Sequence, residues 1–78
     1  MDELTEVLAI RTRQMRAARK WTQEELADRV GLSARYIGEI ERHRASPTVN
    51  VLGRLATAFG VPPAELLKSS ARQSKRQR

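Results

Sequence analysis

Between Gln23 and Arg42 the chain reads QEELADRVGLSARYIGEIER, and this stretch constrains the fold more than any other. Leu26, Val30, Ile37 and Ile40 fall at helical spacing in two short runs, and only Gly31, Leu32 and Ser33 lie between them, too few for a flexible loop. Two helices must therefore meet at a tight corner. Ala27 lies one turn before it, where a side chain larger than methyl would hold the helices apart. Gly31 stands where the first helix stops and the backbone is expected to need positive φ. Ser33 then caps the second helix by accepting from a freed backbone N–H.

The flanking residues supply elements to pack on this corner. Glu3 to Arg19 reads as an amphipathic helix with Leu8, Thr12 and Met15 on one face. Asp2, Glu3 and Glu6 near its start and Arg16, Arg19 and Lys20 at its end both complement the helix dipole. Trp21 is expected in the core, as a staple against the next helix. Thr22 to Glu25 is a capping box that opens the helix ending at Val30. His43 to Pro47 is a loop, Thr48 caps a fourth helix from Val49 to Phe59, and Gly60 ends it. Pro63, with Glu65 in the first turn, starts a short fifth helix through about Lys68. The expected organisation is one all-α domain over residues 1–68, followed by a basic, disordered tail over residues 69–78.

This ordered set resembles the lambda-repressor-like, Xre-type helix-turn-helix family. The resemblance runs from about Val7 to Leu67 and rests on Arg16, TQEELA (Thr22 to Ala27), Gly31, YIGEIER (Tyr36 to Arg42), Pro47 and LATAFGV (Leu55 to Val61). It implies a compact five-helix domain that lays the helix beginning near Ser33 into the DNA major groove. It also implies a partly buried salt bridge between Arg16 and Glu41 that sets the angle of that helix and can present Arg16 to a phosphate. Two departures stand out. Thr12 replaces the aliphatic residue usual in the family, predicting looser packing, and His43 replaces the usual glycine, predicting a strained or differently bent loop wherever φ is positive.

Composition narrows the alternatives. The chain has 78 residues, enough for one small domain that buries only about 60% of its unfolded surface. It has no cysteine and one histidine, which excludes disulfide staples and thiolate zinc sites, and no metal or cofactor is expected. No apolar run approaches the roughly 20 residues of a membrane span, and the start is acidic where a signal peptide would be basic, so the expected location is cytoplasmic. The net charge of +6 is unevenly placed. Lys68, Arg72, Lys75, Arg76 and Arg78 lie at the end, leaving 10 basic against 9 acidic residues in the first 67. Bulk basicity therefore says little about the domain; the direction of individual charges decides.

The expected base-contacting residues are Ser33, Ala34, Arg35, Tyr36 and Glu39, in the first turns of the recognition helix. Arg35 either matches guanine O6 and N7 with two parallel donors or pairs with Glu39 at i,i+4. Glu39 either accepts from cytosine N4 or orients Arg35. Tyr36 offers a ring to a thymine methyl and a hydroxyl to a phosphate, or packs partly buried. Arg16, Thr22, Gln23, Arg42, Arg44, Ser46 and Asn50 are the expected phosphate contacts. Arg16, Glu41, Ala27 and Gly31 carry structural roles. Nothing resembles a nucleophile with a positioned base, so no enzymatic activity is inferred. The resemblance implies double-stranded DNA as the partner, an inverted-repeat operator bound by a homodimer, for which Val49, Val61, Leu66 and Leu67 are the candidate interface, some of which could serve the core instead. The rival is a protein-interaction module such as an antitoxin. The tail either tracks the DNA backbone or only solubilises the chain.

Overall fold

The computed structural model describes residues 3–68; the tail lies outside them. Four α-helices follow in order: α1 Glu3–Ala18, α2 Gln23–Val30, α3 Ala34–Glu41 and α4 Val49–Phe59. Pro63–Leu67, expected as a fifth α-helix, is a 3₁₀ turn. Its five residues are too few to extend an i→i+4 ladder, and such short pieces commonly adopt the tighter form. The all-α expectation holds, with the fifth element changed in kind. Among the described residues no helix is long and apolar enough to cross a membrane.

Local chemistry sets the helix starts. Thr22, Ser33 and Thr48 each accept from the backbone N–H three residues on, at 3.0, 3.0 and 3.1 Å. At Thr22 the box is complete, because its own N–H donates to Glu25 Oε1 at 2.8 Å. Side-chain caps of this kind are each worth about 1 kcal/mol.

The helix ends share one device. Lys20, Gly31, His43 and Gly60 all have positive φ, between 61° and 75°. After each, the next N–H reaches back five residues: Trp21 to Arg16 O, Leu32 to Ala27 O, Arg44 to Glu39 O and Val61 to Ala56 O. This closes carbonyls that the helix would otherwise leave open. Glycine takes the left-handed conformation without strain, whereas Lys20 and His43 bear a cost of about 1 kcal/mol each. The strain expected at His43 is thus present at φ 64°, with its Nε2 2.9 Å from Thr5 Oγ1.

The core gathers Leu8 and Met15 from α1, Leu26, Ala27 and Val30 from α2, Ile37 and Ile40 from α3, and Leu55, Ala56 and Phe59 from α4. Ala27 is buried at the corner, as the close approach of α2 and α3 requires. Leu66 closes the bottom of this core and is fully buried. That removes it from the expected dimer face: the 3₁₀ turn faces it toward α1 and α4. Val61 and Leu67 are half-buried against the core, while Val49 is 84% exposed. Trp21 is half-buried, stacked on Phe59 with centroids 5.9 Å apart. Thr12 is fully buried, and its hydroxyl has no hydrogen-bond partner among the described residues, so the departure there leaves an unsatisfied polar atom in the core.

Candidate nucleic-acid interface

Helix α3 is short, and what it shows to solvent follows from which side it buries. Ile37, Gly38, Ile40 and Glu41 are buried. Arg35 lies on the exposed side and, among the described residues, makes no ion pair or hydrogen bond. The i,i+4 pairing of Arg35 with Glu39 does not form; Glu39 Oε2 instead accepts from Arg42 Nη2 at 3.1 Å. Ser33 is exposed, with its Oγ accepting the Tyr36 N–H. Ala34 and Tyr36 are half-buried and pack against the core, which for Tyr36 is the partly buried alternative. They flank the exposed face, because the first turn of α3 must also cover the corner.

The far end of α3 is anchored. Glu41 is only 3% exposed. Its carboxylate accepts from Arg16 Nε at 2.7 Å, Arg16 Nη2 at 2.9 Å and Gln23 Nε2 at 3.1 Å. Arg16 Nη1 donates to the Trp21 carbonyl at 2.9 Å, and Arg13 Nη1 donates to the Glu41 carbonyl at 2.6 Å. One carboxylate therefore ties α1, the start of α2 and the end of α3 together. The hydrogen bonds to Glu41 raise the Arg16 pKa above its ordinary value, against the desolvation that opposes them. Such an anchor fixes the angle at which α3 is presented.

The residues expected to grip phosphates divide into two groups. Arg16, the Thr22 hydroxyl, the Gln23 amide and Arg42 are engaged within the protein, as just described. Arg44, Ser46 and Asn50, in the loop after α3 and at the start of α4, are exposed and have no side-chain partner among the described residues.

Further arginines make contacts within the fold. Arg19 donates to the Phe59 carbonyl at 2.6 Å and the Met15 carbonyl at 3.0 Å, with its guanidinium 5.0 Å from the Phe59 ring. Arg54 Nη1 reaches the Val30 carbonyl at 3.4 Å, and Arg11 Nε the Glu65 carbonyl at 3.0 Å. Arg29 stacks on Trp21 at 4.1 Å. Each helix thus has an arginine on carbonyls of its last turn, where cations are favoured. No short-range signal marks these pairings, since most join residues 24 to 54 positions apart. At the domain's end Lys68, hydrogen-bonded to Glu65 at 2.9 Å, and more weakly Arg11, hold the Glu65 carboxyl below its ordinary pKa.

Known proteins are similar to this chain in sequence and in fold. The helix-turn-helix family model HTH_3 matches residues 13–66. The chain is 39% identical over 62 residues to the HTH-type transcriptional regulator SutR of Escherichia coli K12, covering 80% of this chain and 35% of that protein. It therefore spans about a third of that relative's length. A hypothetical transcription factor of Neisseria meningitidis is 37% identical over 74 residues, covering 86% of this chain and 70% of that one. The crystal structure of the Neisseria factor NHTF superposes with a TM-score of 0.86 at 33% identity, over 96% of this chain and 86% of that one. The restriction-modification controller protein C.AhdI from Aeromonas hydrophila superposes with a TM-score of 0.76 at 34% identity, over 80% and 94%.

Proposed function

The chain belongs to the HTH_3 helix-turn-helix family, and from that membership we propose that it is a DNA-binding transcriptional regulator that reads a specific duplex sequence in the major groove with α3. The observation that carries this reading is the contrast at α3: its far end is locked through Glu41, while Arg35 stands exposed and unpaired near its start. A guanidinium in that position is free to offer two parallel donors to guanine O6 and N7. Ser33 and Glu39 lie beside it, with Ala34 and Tyr36 supplying the shape of the edge. Arg44, Ser46 and Asn50 take phosphates on one side, and the free N–H groups at the start of α2, beside Thr22 and Gln23, take phosphates on the other.

One short helix reads only a few base pairs, so a homodimer on inverted half-sites supplies the remaining affinity. The dimer face lies on α4 and the turn after it, with exposed Val49 and the outer parts of Val61 and Leu67. The protein acts on cytoplasmic DNA and needs no cofactor. Selection of bound duplexes from a random library tests all of this at once. The expected product is an inverted repeat with half-site centres about 10 base pairs apart. Bound pools with no shared half-site would end the reading.

A further inference from the structure

Gly38 sits inside α3 without the positive φ that would call for glycine, and glycine weakens a helix interior relative to alanine. The space its side chain would fill is occupied. A Cβ built there would lie 3.3 Å from both Arg42 Nη1 and Arg42 Nη2. The Arg42 guanidinium therefore folds back along the helix, lies over Gly38 and meets Glu39, whose Oε2 accepts from its Nη2 at 3.1 Å. Glu39 Oε1 accepts no hydrogen bond among the described residues. The Arg42 side chain is 52% exposed and that of Glu39 31%, so the pair borders the solvent-facing side of the helix.

We propose that Arg42 is a positioning residue for base readout: seated on Gly38, it holds the Glu39 carboxylate on α3 so that the free oxygen accepts from the exocyclic amine of a cytosine. The proposal rests on α3 being the helix that enters the groove. A lone carboxylate there is repelled by the phosphate backbone, whereas one with a guanidinium at hydrogen-bond distance approaches with its charge compensated. The second oxygen then remains as acceptor, and cytosine N4 is the major-groove donor that a carboxylate reads. Arg42 thereby belongs to the specificity of the helix, in place of the phosphate contact that its position in sequence suggests.

The test is selection from random duplex DNA with the wild type, Glu39→Gln, Arg42→Ala and Gly38→Ala, each first shown by its melting curve to be folded. The expected result is one position of the half-site that prefers cytosine in the wild type. All three variants lose that preference about fivefold or more at the same position, with the other positions unchanged. The slope of affinity against salt stays the same for Arg42→Ala. Two outcomes overturn the proposal: Arg42→Ala weakens every sequence alike and lowers the salt slope by about 0.9, the mark of a phosphate contact, or Glu39→Gln leaves all preferences intact. A wild type that selects no half-site would instead defeat the reading of α3 itself, so the two failures are told apart.

Discussion

Helix α1 and the residue that follows it carry Arg11, Arg13, Arg16 and Arg19, and each donates to a carbonyl or carboxylate of another element. The segment from α3 into the following loop carries Arg35, Arg42 and Arg44, of which, among the described residues, only the Arg42 side chain has a partner, Glu39 of α3. Both regions are rich in arginine and neither is distinguished by net charge. The first uses guanidinium groups to close helix ends and hold α3 at a fixed angle. The second leaves them facing solvent. In this protein a cation's availability, rather than the number of cations, separates the frame from the proposed reading surface.

Substitutions can break that division, and the largest effect is expected where the two regions meet. Glu41→Ala leaves Arg16 partly buried without its partner and frees Gln23, so about 3 kcal/mol of stability should be lost. In a domain this small that lowers the melting temperature by on the order of 10 °C or more, and DNA affinity falls with it. A melting curve like that of the wild type would show that the anchor at α3 is not energetic.

Arg35→Ala and Arg19→Ala form the sharper contrast. Removing Arg35 should cost about 1–3 kcal/mol of specific affinity with no change in melting. Removing Arg19 should cost about 1–2 kcal/mol of stability, through its carbonyl bonds and its ring contacts, while base preference in the folded fraction is kept. Calorimetric melting beside binding to matched and mismatched duplexes separates the two. The reverse pattern would mean that the assignment of frame and reader is inverted.

Thr12→Val is expected to stabilise by about 1 kcal/mol, since it replaces a buried, unpartnered hydroxyl with a methyl of similar size. Chemical denaturation would show it as a higher midpoint with an unchanged slope. The smallest effect concerns pH. Because Lys68 and Arg11 hold Glu65 below the pKa it has in the unfolded chain, Glu65 adds stability above that unfolded value and loses it as the pH falls through the lower, folded one. The gap in melting temperature between wild type and Glu65→Gln, small because the pair is exposed and screened, should narrow as the pH falls from neutral through the ordinary carboxylate range near about 4 and below it. A gap that widens in acid would reverse the sign.

The candidate site was legible unevenly. Arg35 was singled out by its place on the recognition helix, and the structure leaves it exposed. Ala34 and Tyr36 are half-buried, for Tyr36 the packed one of its two readings, and helical spacing alone does not say how much of a first turn the corner covers. The Arg16–Glu41 pair followed from a family resemblance. Gln23 and Arg13, which complete that anchor, followed from nothing in the sequence. Leu66 was a candidate for an interface until packing put it in the core.

What the amino-acid order determined by itself is where α2, α3 and α4 begin and two of the places where a helix stops. Thr22, Ser33 and Thr48 act on N–H groups three residues away, and Gly31 and Gly60 relieve strain at their own φ, so that physics is complete within one turn of chain. Lys20 taking the same left-handed turn as those glycines was decided by the packing that follows it. So was the destination of every arginine on α1, because a guanidinium on a long, flexible stem has many acceptors within reach of the unfolded chain. Only the assembled core brings one of them, 25 to 54 residues away for the cross-helix bonds, to within 3 Å.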